Sequence, residues 1–81
     1  MNDMLAVFRS RTQAMQCRAR LNACGVRAEI VPTPTALKAG CGYSVKIPAR
    51  SFAAAKRVIE RGNYGALYGY VELNGRYGGT M

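Results

Sequence analysis

Apolar positions along this chain follow two spacings, and the switches between them mark its elements. Met4-Leu5-Ala6-Val7-Phe8 is an unbroken apolar run, the pattern of a buried central strand. Ser10-Arg11-Thr12-Gln13 then has capping-box spacing, with Ser10 as N-cap and Gln13 three residues on. Ala14, Cys17, Leu21 and Cys24 follow at helical intervals as one apolar stripe. Gly25 stands where a helix-ending glycine belongs.

From Val26 the spacing drops to two. Val26, Ala28 and Ile30 face one way, and Arg27 and Glu29 the other. Pro32-Thr33-Pro34 stops that strand, and a loop runs from Thr35 to Gly40. A third strand spans about Gly42 to Ile47, with Tyr43, Val45 and Ile47 alternating against Ser44 and Lys46. Pro48 ends it. A second helix starts near Ser51, or at Pro48. It carries Phe52, Ala55, Val58 and Ile59 as its stripe and Gly62 as its cap. The last strand covers about Ala66 to Leu73. Leu67, Gly69, Val71 and Leu73 lie on one face; Tyr68, Tyr70 and Glu72 lie on the other. Asn74-Gly75 is a turn signal.

The order β-α-β-β-α-β predicts an α+β, ferredoxin-like sandwich: a four-stranded antiparallel sheet with two helices on one face. Residues 1–73 form that single domain, and residues 74–81 are expected to be a flexible tail. The first two strands run parallel in this arrangement. The end of the first strand, the start of the first helix and the loop after the second strand then share one edge, which brings the Cys41 loop near Ser10.

Composition narrows the function classes. An 81-residue chain has a thin core and little room for a deep substrate cavity. Twelve Lys and Arg stand against 4 Asp and Glu, a net charge of +8, which favours encounters with anionic partners without specifying one. There is no histidine, so the usual general base and the commonest metal ligand are missing. Cys17, Cys24 and Cys41 are an odd set without a C-x-x-C pair. They read as neither a disulfide framework nor a metal site, and no cofactor is expected. No apolar run is long enough for a membrane span and no secretory leader is visible. A cytoplasmic protein with reduced thiols is expected.

Pro32-Thr33-Pro34, six further residues, then Cys41-Gly42 and a hydrophobic strand resemble the selenium/sulfur carrier-like family, a group of small domains sharing a P-T-P…C-G signature. Phe8-Arg9-Ser10 is similar to the family's first strand-to-helix junction, and the likeness spans about residues 4 to 73. The resemblance implies a ferredoxin-like domain in which one cysteine carries sulfur or selenium. The role it implies is that of a carrier or redox accessory that needs a partner to load or unload it, rather than a stand-alone enzyme. Members often have arginine after P-T-P and serines before the cysteine. Here Thr35 and Lys38-Ala39-Gly40 occupy those places, so Lys38 would have to take over any anion contact the serines make.

Physical chemistry gives Cys41 the same role independently. An acceptor thiol must ionise, and a helix N-terminus or nearby cations favour its thiolate. Ser10, the amides of Arg11 to Gln13, and the side chains of Arg9, Arg11 and Lys38 are the groups expected to supply that field. Gly40 and Gly42 leave the sulfur open and let backbone amides approach an attached anion. The plain alternative is a small residue filling a loop–strand junction. Cys17 and Cys24, on the apolar stripe, are expected to be buried hydrophobes. A different class of function is a basic binding module for RNA or a protein, with Tyr64, Tyr68, Tyr70 and Tyr77 beside Arg61 and Arg76 as a stacking surface. Homodimerisation through an edge strand is a third reading.

Overall fold

The computed structural model describes residues 3–33 and 42–73. The elements are β1 (Asp3–Phe8), α1 (Arg11–Ala23), β2 (Glu29–Pro32), β3 (Tyr43–Ile47), a 3₁₀ turn (Ala49–Ser51), α2 (Phe52–Gly62) and β4 (Leu67–Leu73). They form one sheet in the order β2-β3-β1-β4. Every paired neighbour is antiparallel, so β1 and β2 run parallel with β3 between them. This is the expected ferredoxin-like arrangement.

The apolar run of β1 is explained by its central place. Ala6 and Phe8 face the helices, in a core with Ala14, Cys17, Leu21, Val45, Ile47, Ala55 and Ile59. Leu5 and Val7 point to the second face, packed with Val31 and Val71. All four of these β1 side chains are fully buried.

α1 ends in a Schellman motif. Gly25 takes φ +86°; its N–H donates to the Asn22 carbonyl, and the Val26 N–H to that of Leu21, at 3.1 and 2.9 Å. Leu21 and Val26 are both buried. Asn22 Oδ1 accepts from the Ala28 N–H at 3.1 Å, fixing the approach to β2.

Several local expectations are corrected. Cys24 is exposed: it is the C-cap of α1, beyond the buried stripe of Ala14, Cys17 and Leu21. β2 pairs from Glu29 only, although Val26 and Ala28 do point inward. At the end of α2, Asn63 rather than Gly62 takes the left-handed conformation, at φ 53°. Gly62 is small for another reason: a Cβ there would overlap the Tyr64 ring. Ser51 is the N-cap of α2 but makes no side-chain cap bond.

The strict alternation expected in β4 is broken by a bulge. Val7 pairs with Gly69 but Phe8 pairs with Leu67, which leaves Tyr68 as the extra residue. Leu67 and Tyr70 therefore both pack on the helix-side core while Val71 packs on the second face. Tyr70 meets Phe52 edge-to-face at 5.3 Å. Among the described residues no helix is long and apolar enough to cross a membrane. The expected tail, residues 74–81, with Tyr77 and Arg76, lies outside the described residues.

Candidate functional site

The edge that carries the carboxyl ends of β1 and β2 gathers most of the described candidate residues. Phe8 ends β1, and Ser10 begins α1 two residues later. Ser10 Oγ accepts the Gln13 N–H at 3.2 Å, the first half of the capping box. The second half does not form. Gln13 Oε1 instead accepts the Ala66 N–H at 2.9 Å, while the Arg9 N–H donates to the Ala66 carbonyl at 2.9 Å. The β1–α1 junction thus clamps the entry to β4. One of the first-turn amides counted on for an anion, that of Gln13, is taken by Ser10.

Pro32 ends β2 opposite Tyr43. Beyond it, the Thr33 N–H donates to the Gly42 carbonyl at 3.3 Å. Thr33 Oγ1 and Ser44 Oγ share a 2.8 Å hydrogen bond. Ser44 lies between Val7 and Val31 in register and is fully buried. Strand alternation sets Ser44 on the face opposite Tyr43, Val45 and Ile47 and gives no sign of this pair.

Gly42 fits a gap that no other residue fills. A Cβ on it would lie 2.5 Å from the Phe8 carbonyl oxygen and 2.9 Å from Thr33 Oγ1. The glycine is required by close backbone approach rather than by an unusual φ. Gly42 therefore sits against the edge that holds Phe8 and the start of α1. Pro34, Lys38, Gly40 and Cys41 themselves lie outside the described residues.

The two arginines flanking Ser10 diverge. Arg11 sits over the Tyr43 ring, 5.5 Å from its centroid, on the β3 side. Arg9 sits over Tyr68, 5.0 Å from its centroid, on the β4 side. Of the two, Arg11 is thus the one that contacts Tyr43, the residue after Gly42.

The other two cysteines are placed where neither suits an acceptor. Cys17 is 1% exposed, and burial pushes its thiol up to about 11 against a weaker opposing pull from Arg20. Its thiolate is strongly disfavoured at neutral pH. Cys24 is exposed but ends α1, about 20 Å along the helix from Ser10. Tyr64 and Tyr70 also have raised pKa values, chiefly from burial. Phe8 meets Tyr64 edge-to-face at 5.6 Å. Phe8 and Tyr43 both pack in or against the helix-side core, so neither stands as an aromatic platform on an open sheet face.

The family described as "Putative Se/S carrier protein-like" matches residues 3–69, and the chain belongs to it. Comparison with curated proteins and with solved structures finds no match.

Proposed function

We propose that this member of the Se/S carrier-like family is a sulfur or selenium carrier, or a thiol redox accessory, with Cys41 as the acceptor. The observation that carries the reading is the seating of Gly42 against the Phe8 carbonyl and Thr33. In this reading Cys41, which precedes Gly42 in the chain, acts beside the amino end of α1 and Arg11, where an anion on sulfur is favoured. Elimination supports it, because Cys17 is buried with a raised pKa and Cys24 sits at the other end of α1.

The chemistry is a transfer of sulfane sulfur. The Cys41 thiolate attacks the outer sulfur of a donor persulfide, the donor's S–S bond breaks, and the donor leaves as its thiolate. Cys41 becomes the persulfide, an anion stabilised by Arg11, by Lys38 and by amides at the glycines. A protein partner loads it and another unloads it. The test is incubation of the reduced protein with a persulfide donor, followed by mass spectrometry of each cysteine peptide. A gain of one sulfur atom at Cys41, absent from Cys17 and lost in Cys41→Ser, is expected. Sulfur on Cys24 alone would overturn the assignment.

A further inference from the structure

An open groove of about 440 Å³ between α1 and the β2–β3 side of the sheet is lined by Arg11, Met15, Arg18, Glu29, Ile30 and Tyr43. Its volume is within the size range of small-ligand sites. Arg11 and Arg18 are two turns apart on α1, about 10 Å along its axis. Met15 lies between them and is 45% exposed, and half-buried Ile30 faces it from β2. The contact with Tyr43 steadies the Arg11 guanidinium. Arg18 is half-buried, and its Nε–H is buried without a hydrogen-bond partner, a situation that proteins seldom leave unmet. Glu29, the acid at the rim, is 3.7 Å from Lys46, so its charge is answered outside the groove.

From this arrangement we propose that the groove binds a short peptide-like dicarboxylate. Its two carboxylates pair with Arg11 and Arg18, and its uncharged middle lies over Met15 and Ile30. Arginine forks suit carboxylates, which they hold through paired N–H donors. An extended tripeptide spans about 10 Å, which matches the distance between the two arginines. Glutathione has this layout, with carboxylates toward both ends and a thiol between them. The use of its persulfide as a sulfane-sulfur donor to Cys41 rests on the function proposed above; the binding of glutathione to the groove does not.

The experiment is a titration of isotope-labelled, reduced protein at fixed ionic strength with glutathione, glutathione diethyl ester and inorganic phosphate, followed by NMR. Glutathione is expected to give saturable shifts confined to Arg11, Met15, Arg18, Ile30 and Tyr43, including the Arg18 Nε–H. The ester should bind at least about tenfold more weakly, since it loses the charge-assisted bonds. Arg18→Gln should weaken binding by about tenfold and Arg18→Lys by less, with spectra that remain dispersed. Arg57→Gln, an exposed cation on α2 outside the groove, should change nothing. Cys41→Ser should bind normally. If it does so while the wild type accepts no sulfur, the Cys41 assignment falls and the groove stands. No saturable shift, equal binding of the ester, or equal binding of phosphate at the same residues would overturn the proposal.

Discussion

Replacing Gly42 with alanine tests the seating on which the site depends. The added Cβ meets the Phe8 carbonyl oxygen at 2.5 Å and Thr33 Oγ1 at 2.9 Å, whereas ordinary contact begins at 3.4 Å. Thr33 Oγ1 can rotate away only by giving up its bond to Ser44 Oγ. The Phe8 carbonyl belongs to a central strand paired on both sides and cannot yield by nearly 1 Å without disturbing the sheet. Overpacking of this kind costs about 2–3 kcal/mol. In a domain of this size that lowers Tm by roughly 10–20 °C. Thermal unfolding followed by circular dichroism measures it, with Gly69→Ala as the control because nothing lies within 4 Å of a Cβ there. The control should match the wild type within about 1 kcal/mol. A Gly42→Ala protein melting within about 2 °C of wild type would refute the close approach, and with it the placement proposed for Cys41.

The remaining predictions concern the scaffold. Tyr70→Phe should stabilise the protein by up to about 1 kcal/mol, because the Tyr70 hydroxyl is buried without a partner and the ring contact with Phe52 is kept; a loss of stability in urea unfolding would count against this. Ser10→Ala should cost about 1 kcal/mol by uncapping α1, and Ser10→Asp should restore most of it; equal stability of all three would contradict the cap. Stability should fall as pH rises from about 9 to 11. Cys17 ionises at an ordinary thiol pKa of 9.0 when unfolded but only at about 11 when folded, so the unfolded state loses its proton first. The loss is about 2 kcal/mol at most, and Cys17→Ala should show a shallower slope over the same range.

Most of the fold was legible because one rule governs each element. The unbroken apolar run of β1 follows from burial on both faces, and Ser10 and Gly25 mark the ends of α1 by their own backbone chemistry. What escaped depends on pairing between distant segments. The bulge at Tyr68 arises from how β4 registers on β1, so a strict two-residue period set Leu67 and Tyr70 on opposite faces. Asn63 takes the left-handed position that Gly62 was expected to fill, while Gly62 stays inside the helix, close beneath the Tyr64 ring. Cys24 continues the helical stripe in spacing, yet the helix ends before the core reaches it.

The candidate site was legible as a motif and as a shared edge. The sequence pointed to Gly42 for openness around the thiol; the structure adds close packing against Phe8 and Thr33. Arg9 and Arg11 looked equivalent beside Ser10, and only the sheet order separates them. Met15 and Arg18 carry no signal in the sequence, since helical positions off the apolar stripe acquire meaning only from what lies opposite.

The most direct test of the central claim is the pH dependence of iodoacetamide labelling, read by mass spectrometry at each cysteine of the folded protein. Cys41 is predicted to label fastest at neutral pH, with an apparent pKa well below the free-thiol value of ~8.5. Exposed Cys24 serves as the reference for an accessible thiol, and buried Cys17 should stay protected. If Cys41 labels no faster than Cys24, or no faster than it does in the denatured chain, its thiolate is not favoured and the carrier reading is contradicted.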